Sequence, residues 1–386
     1  MRSESTTDNS RAALRIVVAG GGTGGHISPA VAVVQEIQDR RPVDVLWIGS
    51  GNPFEREAAD SVGASYRVIQ TGKLRRYVSF QTPLDAGRIP IGIVQAWRIL
   101  GAWKPDVVVS TGGFVSVPTV IGARLRGIPS LTHEQTAHIG LATKINARFA
   151  DVVALSYERS RPLVGSARGR VLVTGNPVRR SVLRGSRETA LCHFNLRGEL
   201  PLLYVTGGAQ GSRALNEVVG SALPELMGYV ECVHQCGPAS INDDIRQLRV
   251  LADQLPEPLR SRYRVVEMVG DELRDIYAAA ALVVGRAGAG TVNELSVLGL
   301  PSVLIPLPGA EEQHQNARHL AETGGAVVIE QTELTPARLV AEVRALVCDV
   351  DRLRGMAAAA RRAAGGGDAA ARIADELEDL AKRADA

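Results

Sequence analysis

The sequence predicts an α/β fold in which two Rossmann-like, doubly wound parallel-sheet domains face a common cleft. Three observations support this prediction. The chain has 386 residues, more than one hydrophobic core normally serves, so two domains are expected. Short β-branched runs alternate with longer stretches of helical spacing, and the alternation restarts halfway along the chain. Glycine-rich turns follow three of the strand-like runs, at the sheet edge where ligands of open α/β folds bind.

Each series of apolar runs predicts one sheet. The predicted strands of the first are Ile16–Ala19, Val45–Ile48, Val107–Ser110, Ser130–Thr132, Val152–Leu155 and Val171–Val173. Those of the second are Leu202–Thr206, Glu231–Gln235, Arg264–Glu267, Leu282–Val284, Ser302–Ile305 and Ala326–Ile329. The junction is expected near Gly175-Asn176-Pro177, because Asn and Pro interrupt regular structure.

Four segments follow from this division. Residues 1–13 are polar and lack the apolar core of a signal peptide, so we expect a disordered leader. Residues 14–178 form the N-terminal domain and residues 179–350 the C-terminal domain. Residues 351–386, rich in Ala, Arg and Glu, are expected to be helices that pack back on the N-terminal domain.

Bulk charge and hydropathy exclude several classes of protein. The net charge of +3 is only mildly basic and predicts no nucleic-acid partner. No run approaches the roughly 18 uninterrupted apolar residues of a membrane span, so any membrane contact is expected to be peripheral. Residues Lys73 to Trp97 combine basic and apolar side chains; they suit either a solvated face or an anionic membrane surface.

The first glycine-rich turn, Gly20–Gly25, separates a strand-like run from a helical run predicted to begin after Pro29. Backbone N–H groups and the helix dipole at such a turn suit an anionic group. The spacing also fits a dinucleotide-binding turn, but that function needs a carboxylate at the end of the second strand. The second strand ends in Gly49-Ser50-Gly51, so a nicotinamide enzyme is disfavoured.

The second half of the chain suggests a site for a nucleotide-diphosphate donor. Glu294 lies one turn inside the helix that opens at Gly288–Thr291, where a carboxylate can accept two hydrogen bonds from a ribose diol. Arg179 and the turn Gly207–Gly211 can stabilise a leaving pyrophosphate, and the Gln313 amide suits sugar hydroxyls. Each also has a structural alternative: a helix cap, a surface cation or ordinary loop chemistry.

These runs together resemble the bacterial lipid II-forming N-acetylglucosaminyltransferases of the GT-B class, from about residue 14 to residue 380. The motifs that carry the resemblance are Gly21–His26 (GGTGGH), Thr111–Pro118 (TGGFVSVP), His133–Gln135 (HEQ), Gly140–Lys144 (GLATK), Gly175–Arg179 (GNPVR), Gly207–Gly211 (GGAQG) and Arg286–Ala289 (RAGA), with Thr291 and Glu294. The resemblance implies inverting transfer of N-acetylglucosamine (GlcNAc) from UDP-GlcNAc to the C4 hydroxyl of the MurNAc unit of lipid I, for peptidoglycan synthesis.

The resemblance also assigns site residues. It implies that Thr23, Gly24 and Gly25 form a substrate loop facing the diphosphate of lipid I, with His26 as the candidate base. His26 can instead orient the loop through a hydrogen bond, and this alternative stays open. The implied donor positions, together with Glu294 on the ribose and Gln313 on GlcNAc, are Arg179, Ala289, Gly290, Thr291, Val292 and Asn293.

Some positions depart from the family's pattern. Thr136 stands where Asn is usual, Ala209 where Ser is usual and Phe114 where Tyr is common; Gly270 falls where a larger apolar residue commonly flanks uracil. Each lost side-chain hydrogen bond is expected to cost about 0.5–3 kcal/mol. These departures leave two alternatives open: a related GT-B transferase with another lipid acceptor, and a non-catalytic protein that binds UDP-sugars.

The resemblance further implies partners and a location. We expect UDP-GlcNAc, lipid I and the anionic inner leaflet of the plasma membrane as partners, and other cell-wall synthesis enzymes in addition. The location implied is the cytoplasmic face of that membrane, reached through the basic and apolar stretch from Lys73 to Trp97. No cofactor and no bound metal are expected, because no Asp-x-Asp lies near the cleft motifs.

Overall fold

A computed structural model describes residues 13–22, 24–72, 82–241, 243–364 and 367–384. Two parallel sheets organise these residues, of seven and six strands. The predicted two-sheet architecture is therefore confirmed. The segment 1–12, Thr23 and residues 73–81, which include most of the basic end of the Lys73 to Trp97 stretch, lie outside the described residues.

The N-terminal sheet has the strand order β3-β2-β1-β4-β5-β6-β7, typical of a doubly wound fold. Its strands are β1 (Leu14–Gly20), β2 (Val43–Gly49), β3 (Ser65–Val68), β4 (Val107–Gly112), β5 (Ser130–Glu134), β6 (Val152–Leu155) and β7 (Arg170–Val173). Most are buried on both faces, which explains their continuous apolar runs. The sequence did not predict β3, because this edge strand is largely exposed and lacks such a run.

The C-terminal sheet has the order β10-β9-β8-β11-β12-β13. Its strands are β8 (Leu202–Thr206), β9 (Glu231–Gln235), β10 (Tyr263–Val266), β11 (Ala280–Gly285), β12 (Ser302–Leu304) and β13 (Ala326–Val328). The strand order reverses between β1 and β4 in the N-terminal sheet and between β8 and β11 in the C-terminal sheet. Each sheet therefore has a crevice at the carboxyl end of its central strands.

Helices cover both faces of the two sheets. They are α1 (Gly24–Gln38), α2 (Pro53–Ser61), α3 (Thr82–Trp103), α4 (Ser116–Leu125), α5 (Leu141–Asn146), α6 (Arg187–His193), α7 (Arg213–Leu226), α8 (Asp244–Asp253), α9 (Leu273–Ala279), α10 (Ala289–Leu298), α11 (Glu311–Glu322), α12 (Pro336–Val347), α13 (Val350–Ala363) and α14 (Ala369–Ala384). None of the described helices is long and apolar enough to cross a membrane.

The predicted start of the first helix was wrong. Helix α1 begins at Gly24, and Pro29 lies inside it. Proline removes one intrahelical hydrogen bond, but contacts from β4 hold the first turn in place. The Thr111 hydroxyl donates to the His26 carbonyl at 2.7 Å, and the His26 ring bonds the Thr111 carbonyl. Tertiary contacts therefore override the local preference of proline.

Two sets of contacts connect the domains. Arg180 follows the junction and pairs with Glu36 of α1 at 2.7 Å and with Asp39, just after α1, at 2.9 Å. Helix α13 packs on the C-terminal domain, whereas α14 crosses over and buries Ile373 and Leu377 in the N-terminal core. The placement of the domain boundary at residue 178 stays a prediction.

Candidate active site

A cavity of about 520 Å³ lies where the carboxyl ends of the two sheets meet. The N-terminal domain lines it with His26, the Gly112–Phe114 turn and the loop from Glu134 to Thr143. The C-terminal domain contributes Glu311, Glu312 and Gln315 from the start of α11. The cavity therefore spans both domains, as expected for a site that brings two substrates together.

The imidazole of His26 is held by one of its two nitrogens. Nδ1 lies 2.9 Å from the Thr111 carbonyl and 3.0 Å from Gln135 Oε1. Both of these atoms are acceptors, so Nδ1 must carry the proton and donate it. Nε2 of the neutral ring then has a free lone pair, and the ring lines the cavity. This tautomer suits a group that accepts a proton from a substrate hydroxyl.

Glycines after β4 leave room for this ring. Gly112 has φ +96°, and a Cβ there would lie 2.9 Å from His26 Nδ1. Gly113 has φ +79°, and its Cβ would overlap the Gly21 carbonyl of the first glycine turn. Positive φ and close approach therefore both require glycine at these two positions. The turn after β4 and the turn after β1 form one packed unit around His26.

A chain of hydrogen bonds leads from His26 to the domain junction. The Gln135 amide Nε2 donates to the Thr111 carbonyl at 2.6 Å and approaches His133 Nδ1 at 3.2 Å. His133 Nε2 lies 3.0 Å from the Gly175 carbonyl, so Nε2 is the protonated nitrogen. Burial, aided by the nearby His26, lowers the pKa of His133 to about 4, so this ring stays neutral.

In the C-terminal half of the site, Glu294 is buried in α10. Its Oε2 accepts a hydrogen bond from the Tyr277 hydroxyl at 3.0 Å, and its Oε1 lies 3.8 Å from Arg179 Nη2. Burial raises the pKa of Glu294, whereas Arg179 and then the Tyr277 hydrogen bond act in the opposite direction. The carboxylate is therefore not a cap of its own helix and keeps one oxygen close to a cation.

Two polar atoms beside Glu294 have no partner. Arg179 Nε and Asn176 Oδ1 are both buried without a hydrogen bond among the described residues. Asn176 itself is only 5% exposed, and its carbonyl accepts from Asn293 Nδ2 at 3.0 Å, which ties α10 to the junction. Buried polar groups normally have partners, so a bound ligand or water is expected to complete this region.

Arg286 is a buried cation near the turn Gly207–Gly211. Its guanidinium donates to the Ser212 hydroxyl at 2.7 Å, to the Ile305 and Pro306 carbonyls and to Gln331. None of the described carboxylates forms an ion pair with it, and burial lowers its pKa. The charge of Arg286 is therefore balanced only by neutral acceptors, at the edge where the sequence predicts a pyrophosphate.

The other predicted site residues differ in how free they are. Gly24 and Gly25 begin α1, and Ala289, Gly290 and Thr291 form the half-buried first turn of α10. Ala209 and Gly270 lie on exposed turns after β8 and β10. Thr23 lies outside the described residues.

Three predicted residues are already engaged within the protein. Val292 is buried in the core, so only its backbone can meet a ligand. Thr136 lines the cavity, but its hydroxyl lies 2.9 Å from Glu134 Oε1. Gln313 Oε1 accepts from the Leu307 amide at 3.0 Å, which leaves its NH₂ group as the free end. These contacts restrict which atoms of each residue remain for substrate.

Comparison with known proteins places the two halves of the chain in one family. Residues 16–155 match the glycosyltransferase family 28 N-terminal domain, and residues 202–377 match the family's C-terminal domain. The chain belongs to glycosyltransferase family 28. The predicted resemblance is confirmed, and the chain is a glycosyltransferase.

Individual family 28 members agree along almost the whole chain. The UDP-N-acetylglucosamine–N-acetylmuramyl-(pentapeptide) pyrophosphoryl-undecaprenol N-acetylglucosamine transferase of Treponema denticola is 34% identical, over 89% of this chain and 92% of its own. The Treponema pallidum enzyme of the same name is 40% identical, over 81% and 82%. The crystal structure of Acinetobacter baumannii MurG has a TM-score of 0.71 at 27% identity, covering 95% of this chain and 99% of its own. The predicted GT-B fold is confirmed.

Several polar residues of this family 28 site had no predicted role. Gln135 and Arg286 lie inside the motifs HEQ and RAGA, but the sequence pattern assigned neither residue a function. Tyr277 lies 17 positions before Glu294, and nothing in the sequence joins them. The sequence feature that indicates such residues is a polar side chain next to a predicted apolar strand, as at His133 and Arg286. Such residues are rarely buried without a partner or a task.

Proposed function

We propose that this chain transfers GlcNAc from UDP-GlcNAc to the C4 hydroxyl of MurNAc in lipid I, with inversion, and so forms lipid II. The observation that carries the proposal is the tautomer of His26, whose free Nε2 borders a cavity shared by both domains. The names of the Treponema relatives support the choice of donor and acceptor.

The reaction divides between the two halves. His26 Nε2 takes the proton of the acceptor hydroxyl, and the hydroxyl oxygen attacks C1 of GlcNAc as the bond from C1 to the UDP oxygen breaks. The proton on Nδ1 stays between the Thr111 carbonyl and Gln135 Oε1, which stabilise the imidazolium. UDP leaves with the electron pair of the broken bond, so developing negative charge must be stabilised on its diphosphate.

Positive groups for that charge lie in the C-terminal domain. The N-terminal end of α10 and Arg179 provide N–H donors for the diphosphate, and Arg286 adds a buried positive charge behind the turn at Gly207–Gly211. Glu294 accepts hydrogen bonds from the ribose diol, and the free NH₂ of Gln313 suits a GlcNAc hydroxyl. Thr23, Gly24 and Gly25 are proposed to meet the lipid I diphosphate at the start of α1.

We propose a peripheral contact with the anionic inner leaflet of the plasma membrane through α3. Its side chains Ile91, Val94 and Trp97 are 48%, 48% and 38% exposed, and Arg126 stacks on the Trp97 ring at 3.5 Å. Exposed apolar side chains beside arginine suit the boundary between headgroups and acyl chains. Flotation with anionic vesicles should fall for Ile91→Ala and stay unchanged for Ile241→Ala, at an even more exposed isoleucine of the other domain. Equal flotation of both variants would contradict this contact.

A transfer assay tests the reaction. Labelled UDP-GlcNAc and a soluble lipid I analogue should give product, whereas UDP-GalNAc and UDP-glucose should give far less. Product with another lipid acceptor but not with the lipid I analogue would favour a related transferase. UDP binding without product from any acceptor would favour a non-catalytic UDP-sugar-binding protein.

A further inference from the structure

The carboxylate of Glu55 is fully buried directly behind the first glycine turn. Its Oε1 accepts hydrogen bonds from the Gly22 amide at 3.0 Å and from the Ser50 hydroxyl at 2.9 Å. Its Oε2 accepts from the Ser50 amide at 2.6 Å and from the Tyr66 hydroxyl at 2.8 Å. Four donors fill the capacity of an ionised carboxylate, and no cation among the described residues pairs with it.

The donors around Glu55 are fixed as donors. A backbone amide N–H can only donate a hydrogen bond. Burial together with the Glu55 hydrogen bond raises the pKa of Tyr66 to about 12, so the Tyr66 hydroxyl keeps its proton. A glutamate in the first turn of a helix usually reaches back to the N-cap amide of that helix. Glu55 instead bonds Ser50, before the Asn52 N-cap of α2, and Gly22 after a different strand. This arrangement joins the ends of β1 and β2.

Two glycines, Gly21 and Gly49, leave room for this carboxylate. A Cβ on Gly21 would overlap Glu55 Oε1, and a Cβ on Gly49 would overlap Oε2 and the Tyr66 hydroxyl. Neither glycine has a positive φ that would explain it otherwise. Both positions at the carboxyl end of the sheet therefore require glycine, because a side chain there would overlap the buried carboxylate or its hydrogen-bond partner.

The contact with Gly22 changes what the glycine turn can bind. Gly22 has φ +92°, and its N–H points at Glu55, so this amide is not available to an anionic ligand. The negative charge of Glu55 also disfavours phosphate on the Gly22 side of the turn. At Gly24 and Gly25 the N-terminal end of the 15-residue helix α1 favours it.

We propose that Glu55 is a positioning residue for the acceptor. It clamps Gly22, fixes the path of the chain at Gly20–Gly22, and directs the diphosphate of the acceptor to the start of α1 beside His26. This inference rests on the proposed function, because it takes the lipid-linked diphosphate as the ligand of this turn. Glu55 touches neither substrate, so its effect is expected on the acceptor and not on the donor.

The test compares Glu55→Gln with two controls in the transfer assay. Glu55→Gln keeps the shape but presents an NH₂ group to donors, so the acceptor KM should rise about tenfold, as for one lost charge-assisted hydrogen bond. The donor KM should stay within about twofold of the parent value. Tyr66→Phe keeps the contact with Gly22 and should leave the acceptor KM within about twofold, as should Glu57→Gln, a change of an exposed glutamate on the same helix.

A second measurement is independent of catalysis. Hydrogen exchange of the peptide that contains Gly22 should be faster in Glu55→Gln than in the parent and in Glu57→Gln. If Glu55→Gln does not fold, Glu55→Asp serves instead, since it keeps the charge but is too short to reach both Gly22 and Ser50. An unchanged acceptor KM in a folded Glu55 variant, or an equal rise of both KM values, would overturn the inference. Absence of transfer by the parent would instead overturn the proposed function, while the exchange rates still decide whether Glu55 clamps Gly22.

Discussion

His26 in the N-terminal half of the cleft already has two acceptors for its Nδ1 proton, from Thr111 and Gln135. In the C-terminal half, Arg179 Nε has no hydrogen-bond partner in the part of the chain that the structure describes, and the nearest contact of its guanidinium with Glu294 is 3.8 Å long. The His26 ring is thus held in place without substrate and keeps only Nε2 for it, whereas Arg179, in the half proposed to hold the donor, keeps a guanidinium nitrogen for a ligand. We therefore expect substitutions at His26 and its hydrogen-bond partners to act on kcat, and those around Glu294 to act on donor affinity.

The largest expected effect is on kcat, from His26→Ala. Loss of a general base should lower kcat by about 100- to 10,000-fold. His26→Asn separates the two roles of this residue, because its NH₂ can still donate to the Thr111 carbonyl but nothing replaces Nε2. We expect Asn to be as slow as Ala in steady-state assays, while His193→Ala, at an exposed histidine, behaves as the parent. Restored activity in His26→Asn would mean that His26 only orients the loop.

Glu294→Ala should have the next largest effect, on donor affinity. It removes a carboxylate proposed to accept hydrogen bonds from the ribose and leaves Arg179 without its nearest anion. We expect UDP-GlcNAc to bind on the order of 100-fold more weakly, or about 3 kcal/mol. Tyr277→Phe removes one hydrogen bond but keeps the carboxylate, so its KM for the donor should rise far less. Similar KM values for Glu294→Ala and the exposed-site control Glu225→Ala would contradict the assignment.

Acidification should lower the stability of both domains for the same reason. Burial lowers the pKa of His133 to about 4 and that of His234 to about 3, so only the unfolded chain binds these protons as pH falls from about 6.5. Stability is therefore lost on acidification, by about 2 kcal/mol for each histidine at pH 5. In urea unfolding between pH 7 and pH 5, His234→Gln should lose about 2 kcal/mol less than the parent. An identical loss in the two proteins would show that His234 is not held neutral.

The smallest expected effect is that of Gln135→Ala. The Thr111 carbonyl still holds His26 Nδ1, so only one of two acceptors is lost and kcat should fall about tenfold. The KM for UDP-GlcNAc should not change, since Gln135 belongs to the N-terminal half. Gln254→Ala, at an exposed glutamine of the C-terminal domain, is the matched control for steady-state kinetics. A raised donor KM in Gln135→Ala would contradict the proposed division of roles between the two halves.

Sequence patterns predicted the fold better than the site. Most of the twelve predicted strands stand out because they are rich in apolar and β-branched residues, whereas β3 is an exposed edge and gives no such signal. The start of α1 was misplaced because Pro29 suggested a boundary that contacts with Thr111 override. Local patterns report burial and turn preference, so long-range compensation of this kind escapes them.

The candidate site shows the same limit. Glycine turns, His26, Arg179 and Glu294 could be chosen because each stands beside a predicted strand end. The partners that give them chemistry are distant in sequence: Thr111 and Gln135 lie 85 and 109 positions from His26, and Tyr277 lies 17 from Glu294. The tautomer of His26 and the clamp by Glu55 depend on such pairs, so neither follows from spacing along the chain.

Calorimetric titration of UDP into the parent, His26→Ala and Glu294→Ala tests the division of labour most directly. We expect the same Kd for the parent and His26→Ala, and a Kd on the order of 100-fold higher for Glu294→Ala. Weakened UDP binding in His26→Ala, or parent-like binding in Glu294→Ala, would contradict it.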